Sequence, residues 1–156
     1  MSCLLAASPA QAQTARELFA DANRLVRDDL YWAALLRYEQ AAEQGMDTPL
    51  LHYNSGVAHY RAQQHVRARQ SLTKAAQSPS LRVLAHYNLG LNAYAGGVTV
   101  EALRCFQLAR DQQQNKKIAR LARRAIARLR SQRKQTDSVL VRTEQRRTRK
   151  PIGEFH

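Results

Sequence analysis

The feature that most constrains the fold is a recurrence at a fixed spacing of 34 residues. The stretch HYNSGVAHY (52–60) returns as HYNLGLNAY (86–94), and the two share a histidine, two tyrosines, an asparagine and a glycine. A weaker copy lies 34 residues upstream, where Ala22 stands at the place of Gly56 and Gly90. Self-similarity at such a period indicates one supersecondary unit used repeatedly, with each unit covering the apolar face of its neighbour.

Small and large residues recur at equivalent places after each of these three anchors. Alanine stands 12 residues on, a large residue 16 on and alanine again 19 on. Small residues allow two antiparallel helices to approach closely, and a large residue fills the space beside them. We therefore expect the packing contacts of the repeat to be made by Ala22, Ala34, Tyr38, Ala41, Gly56, Ala68, Leu72, Ala75, Gly90, Ala102, Phe106 and Ala109.

A 34-residue period with this arrangement of small and large residues resembles the tetratricopeptide (TPR) repeat, over about residues 15–115. The resemblance implies an all-α solenoid of three helix-turn-helix repeats in a domain at 13–134, followed by a basic flexible tail at 135–156. The expected repeats are 15–48, 49–82 and 83–114, with helices near 14–27, 30–44, 49–62, 65–77, 81–95 and 99–112.

Turn residues fit the same register. Gly96-Gly97 supplies a turn between the helices of the third repeat, and Gln63 and Asp29 hold the corresponding places in the second and the first. Gln63 and Asp29 adopt the turn conformation less readily than glycine, because they have a Cβ atom. Gly45 is expected to end the second helix of the first repeat.

A seventh helix is predicted at 115–133, where apolar residues recur every three or four positions and the other face is rich in arginine. The terminal unit of a solenoid needs a polar outer surface, because no neighbour covers it. This pattern therefore indicates a capping helix.

Charge is concentrated at the C-terminal end. Residues 1–115 are close to neutral, whereas residues 116–150 contain 14 Lys and Arg against Asp137 and Glu144. Three interpretations remain open for this basic region: a solvated cap with a tail, contact with an anionic partner or membrane surface, and nucleic-acid binding. Nucleic acid is the least favoured of the three, because no base-reading module is recognisable.

The first twelve residues resemble the end of a secretory signal peptide. A short apolar run is followed by Ser8-Pro9 and by Ala10-Gln11-Ala12, a small-x-small site at the point where the folded pattern begins. We expect export to the periplasm or cell envelope of a Gram-negative bacterium, and the alternative is an ordinary N-terminus of a cytoplasmic protein. No run is long enough to span a membrane.

Catalytic and metal-binding patterns are not apparent. His52 and His86 occupy equivalent places about 10 Å apart by helix packing, too far to share a metal without further ligands. Cys105 precedes the packing residue Phe106 and fits a buried structural thiol. We therefore expect no enzyme activity, no cofactor and no metal.

The TPR resemblance implies a concave groove lined by the first helix of each repeat. Aromatic area and side-chain amides suit contact with a peptide backbone. The residues placed there are Asn23, Arg27, Tyr53, Asn54, Tyr60, Arg61, Tyr87, Asn88, Leu91 and Tyr94. The clamp by which some TPR proteins hold a carboxylate is not expected, because Phe19, Leu84 and Asn88 stand where that clamp needs basic residues.

These features predict a non-enzymatic scaffold or adaptor that binds a peptide or protein partner in its groove. The alternative is a cytoplasmic TPR protein whose basic C-terminal region binds nucleic acid or an acidic partner. Tyrosine and asparagine in the groove also have a plainer explanation, as residues that are merely common in the repeat.

Overall fold

A computed structural model describes residues 13–111 and 115–148, which form seven α-helices and no β-strand. The all-helical prediction is confirmed. The first six helices begin and end within two residues of the predicted positions, and the seventh is longer than predicted. The helices are α1 (Ala15–Arg27), α2 (Tyr31–Glu43), α3 (Pro49–Arg61), α4 (His65–Ala75), α5 (Arg82–Ala95), α6 (Thr99–Arg110) and α7 (Lys116–Thr148).

Helix starts follow local capping chemistry. Thr14 caps α1 through a capping box, in which its hydroxyl accepts from the Glu17 N–H and the Glu17 carboxylate accepts from the Thr14 N–H at 2.8 Å. Thr48 caps α3 by accepting from the Leu51 N–H, and Pro49 occupies the first helical position, where its missing N–H costs nothing.

The turn within each helix pair is the same motif three times. The middle one of its three residues has a left-handed backbone in every case, with φ of 58° at Asp29, 59° at Gln63 and 78° at Gly97. The next residue donates its N–H to a carbonyl five residues earlier, a closure typical of the Schellman motif. These bonds run from Leu30 to Leu25 (2.9 Å), from Gln64 to His59 (2.8 Å) and from Val98 to Ala93 (2.8 Å).

Neighbouring helices pack in chain order, as in a helical-repeat solenoid. The most extensive contacts join α1 with α2, α3 with α4 and α5 with α6, and each pair then packs on the next through α2 with α3 and α4 with α5. Helix α3 also contacts α1 and α5, whereas α2, α4 and α6 make no contact with one another within the described residues. The stack therefore curves toward α1, α3 and α5, and we call this side the inner face.

Close helix approach within the pairs depends on two glycines. A Cβ atom at Gly90 would lie 2.6 Å from the Phe106 ring, and one at Gly56 would lie 2.8 Å from Cγ of Leu72. Ala22 takes the same place in the first pair and packs with Tyr38 in one buried cluster. All twelve residues expected to make packing contacts are buried.

The last helix corrects one expectation. The flexible tail predicted at 135–156 is wrong for residues 135–148, because they continue α7. The helix was predicted to end at residue 133 and instead ends at Thr148. No Gly or Pro interrupts the sequence from Lys116 until Pro151, and Arg133 and Asp137 form an ion pair one turn apart at 3.9 Å. The remaining residues of the predicted tail, 149–156, lie outside the described residues, as do the predicted signal-peptide residues 1–12.

Candidate partner-binding face

The inner face brings the predicted groove residues onto three adjacent helices. None of the ten is buried: Arg27, Arg61 and Tyr94 are exposed, and the other seven are half-buried. The contacts of seven of them fall into two groups. One group forms hydrogen bonds between successive helices near the middle of the face, and the other packs toward the core or toward α7.

The amide of Asn23 connects the first two repeats. Its Oδ1 accepts from the Tyr38 hydroxyl at 2.7 Å and from Nδ2 of Asn54 at 2.8 Å. Tyr38 is buried between α1 and α3, and burial raises its pKa to about 12. The Tyr38 hydroxyl is therefore neutral and fixed in position. It holds Oδ1 of Asn23 where that oxygen also accepts from Asn54.

A second bond connects α3 with α5. Nδ2 of Asn88 donates to the Tyr53 hydroxyl at 3.0 Å and to the Leu84 carbonyl at 2.9 Å. Burial raises the pKa of Tyr53, while the bond from Asn88 lowers it. Both bonds fix the side chains of Tyr53 and Asn88 before any partner arrives, so little rotamer entropy would be lost on binding.

The fixed amides leave acceptors pointing away from their internal bonds. Within the described part of the chain, Oδ1 of Asn54 and Oδ1 of Asn88 have no hydrogen-bond partner, and neither atom is buried. Equivalent positions on packed helices lie about 8–10 Å apart. A peptide in the extended polyproline II conformation has three residues per turn and advances about 3.1 Å per residue, so its N–H groups three residues apart point the same way and match this separation.

Three other predicted groove residues have additional structural contacts. The Tyr87 ring packs against the Phe106 ring with centroids 5.7 Å apart, and Leu91 packs on the same buried cluster. The Tyr94 hydroxyl accepts from Nε2 of Gln132 on α7 at 3.4 Å. These contacts make Tyr87 and Leu91 partly core residues and make Tyr94 a link to the last helix.

The histidines and the cysteine have structural surroundings. Nε2 of His52 lies 2.6 Å from the Asp47 carboxylate, and Nδ1 of His86 is buried with no hydrogen-bond partner. Burial, helped by the Arg82 charge, lowers the pKa of His86. Cys105 is buried, and burial raises its pKa. Among the described residues, no group of three or more His, Cys, Asp and Glu could hold a metal ion.

A cleft on the opposite side of the molecule was not predicted from the sequence. Helices α2 and α4 diverge above α3 and leave a space of about 430 Å³, which we call the outer cleft. Trp32 and Leu36 border it from α2, Arg67 and Gln70 border it from α4, and His59 lies on its floor. Trp32 is the only tryptophan of the chain and is 67% exposed. It is the one feature of the sequence that could have indicated this cleft.

Among the described residues, no helix combines the length and apolar character needed to cross a bilayer, as the sequence predicted. Comparison of the chain with protein-family models and with curated proteins finds no match.

Proposed function

We propose that the chain is a TPR-type scaffold or adaptor, without enzyme activity, that binds an extended segment of a protein partner on its inner face. The main support is the pair of inter-helix bonds that hold Asn54 and Asn88 with a free oxygen each. Half-buried tyrosine beside these amides adds apolar contact area at low entropic cost.

The proposed partner segment is recognised through its backbone. Its N–H groups donate to the free oxygens of Asn54 and Asn88, and its side chains pack against Tyr53 and Tyr60. Arg27 and Arg61 are exposed beside the face and favour a segment with some acidic residues. Because Phe19, Leu84 and Asn88 stand at the places where a carboxylate clamp needs cations, the segment need not be a chain terminus.

We further propose that the protein is exported and that its partner belongs to the bacterial cell envelope. This proposal is supported by the small-x-small site at Ala10–Ala12. Mass determination of the protein recovered from a periplasmic fraction tests it, with a mature N-terminus at Gln13 as the expected result. Recovery of the unprocessed chain from the cytoplasm would contradict export without bearing on the inner face.

The test of the inner face is affinity capture from solubilised envelope fractions, with partners identified by mass spectrometry. The double variant Tyr53→Ala/Asn54→Ala should lose the captured partner while its helical circular dichroism stays unchanged. The matched control is Arg69→Ala/Thr73→Ala, which changes two exposed residues on α4 and should capture normally. Normal capture by the Tyr53/Asn54 variant would contradict the proposal.

A further inference from the structure

The outward side of α7 is a continuous positive surface. We define the cationic face as Lys116, Arg120, Arg123, Arg124, Arg128 and Arg130, all of which are exposed. No acidic residue occurs in the sequence from Lys116 to Thr136. In the part of the chain that the structure describes, none of the six cations forms an ion pair.

Helical geometry places this face opposite the side of α7 that packs on the body. Ala119, Ala122, Ile126 and Leu129 are buried, and three of them join the cluster that contains Phe106. The six cations lie on the other half of the helix circumference, and from Lys116 to Arg130 they extend for about 21 Å at 1.5 Å per residue. Because α7 is the last helix of the stack, its outward half forms one end of the described molecule.

The charge pattern does not favour the helix itself. Lys116, Arg120, Arg124 and Arg128 follow one another at spacings of four, and like charges at this spacing destabilise a helix. Lys116 and Lys117 also lie at the helix N-terminus, where the macrodipole disfavours cations. If this surface only had to be solvated, interspersed acidic and basic residues would solvate it equally well. The pattern therefore indicates a ligand that supplies the missing negative charge.

We propose that the cationic face of α7 docks on the surface of an anionic lipid bilayer. Such a surface carries negative charge along the whole length of the cationic face. Clustered Lys and Arg on a helix are typical of contact with anionic lipid. Further along the same helix, Val139 and Val141 are 54% and 56% exposed and lie in line with Arg128 and Arg123 of the cationic face, whereas Leu140 points to the opposite side. The headgroup boundary can accept Val139 and Val141, whereas a phosphate backbone offers them no apolar contact.

Two properties of α7 favour lipid over nucleic acid. The helix contains no Phe, Tyr or Trp, so it has no side chain on which a base could stack. Val139 and Val141 would remain in water against a duplex. Docking through the end of the stack also leaves the inner face open to the side, so bilayer contact and partner binding are compatible.

The experiment is co-sedimentation of the full chain with phosphatidylcholine vesicles that contain or lack phosphatidylglycerol. Binding is expected only with phosphatidylglycerol, and it should disappear near 1 M salt, where the Debye length is about 3 Å. Arg124→Glu should lower the partition coefficient about 30-fold, because it removes two units of positive charge near the surface. The variant should remain folded, since the new carboxylate lies one turn from both Arg120 and Arg128 and pairs with them.

The matched control is Arg69→Glu, which makes the same change of net charge at an exposed site on α4. It should bind phosphatidylglycerol vesicles within about 3-fold of the unaltered protein, as should the Tyr53→Ala/Asn54→Ala variant of the inner face. Three results would each overturn the proposal: no binding to anionic vesicles, an equal loss in Arg69→Glu and Arg124→Glu, or binding to duplex DNA at least as tight at equal phosphate concentration.

Discussion

At the scale of single residues, the three helix-pair turns show one backbone conformation built from three different residues. Asp29, Gln63 and Gly97 all have positive φ, and the 34-residue register predicted that they correspond. Only glycine adopts this conformation without a steric cost. The repeat therefore imposes the turn even where the local residue opposes it, because the packing of the two helices outweighs the strain.

The adjacent glycines of the third turn should respond to substitution in opposite directions. Gly97→Ala puts a Cβ atom on a backbone with φ of 78° and should lower the free energy of unfolding by about 1 kcal/mol. Gly96 has a φ of −79°, and an added Cβ would meet its nearest neighbour at an ordinary 3.5 Å. Gly96→Ala should therefore raise the free energy of unfolding by about 0.4–1 kcal/mol, because it restricts the unfolded chain.

Urea denaturation of the two variants beside the unaltered protein measures both changes. The neighbouring positions share solvent exposure and chain context, so each serves as the control for the other. Destabilisation of similar size by both substitutions would contradict the assignment of the left-handed residue to Gly97.

The candidate site could be predicted in part from single residues. The TPR resemblance implied that Asn23, Asn54 and Asn88 share one side of the molecule, and in the structure they lie on α1, α3 and α5. The sequence could not predict that Oδ1 of Asn23 accepts hydrogen bonds from Tyr38 and Asn54, or that the Tyr87 ring packs against the Phe106 ring. Such contacts depend on side-chain conformations and on the offset between packed helices, which a period along the chain does not specify.

At the scale of helices, the repeat predicted the first six well and the seventh poorly. Each of the six is bounded by a turn that recurs in the next repeat, so several copies fix its ends. The seventh helix has no second copy, and its polar continuation after Leu129 resembles a tail in composition. Helix formers without Gly or Pro, together with the pair of Arg133 and Asp137, extend it to Thr148.

Two truncations should separate the packed half of α7 from its projecting half. Removal of the residues after Lys134 should change the free energy of unfolding by less than about 0.5 kcal/mol, because residues 135–145 are exposed. Removal of the residues after Asn115 should lower it by roughly 3–6 kcal/mol, since burial of Ile126 and Leu129 is lost at about 1.5–3 kcal/mol each.

Thermal and urea unfolding followed by circular dichroism measure both truncations. The shorter deletion is the control for the longer one, because both remove part of the same basic helix. A large loss of stability from the shorter deletion would show that residues 135–148 pack on the body, contrary to their exposure.

At the scale of the whole molecule, the curvature decides which surfaces a partner can reach. Contact of α3 with α1 and α5 makes the inner side of the stack concave, and the separation of α2 from α4 leaves the outer cleft. The sequence repeat predicted a stack of helix pairs but contained no information on this cleft, since an exposed tryptophan is not a residue of the repeat. The described residues therefore form a concave inner face and, on the opposite side, the outer cleft.

Trp32 makes the two surfaces distinguishable in solution. It is the only tryptophan, it is 67% exposed, and it borders the outer cleft rather than the inner face. A partner peptide that lacks tryptophan and binds the inner face should leave the emission maximum and the acrylamide quenching of Trp32 unchanged. Occupation of the outer cleft would remove water from the indole, shift its emission to shorter wavelength and reduce quenching.

The titration is read beside an independent measure of binding, such as fluorescence anisotropy of the labelled peptide. Tyr53→Ala/Asn54→Ala should abolish the anisotropy change, and Trp32→Ala/Leu36→Ala should leave it intact. A blue shift that saturates together with the anisotropy, and binding lost only in the Trp32/Leu36 variant, would place the partner in the outer cleft. The outer cleft lies between α2 and α4, the second helices of the first two pairs. This result would therefore mean that the scaffold binds its partner on the side opposite the inner face.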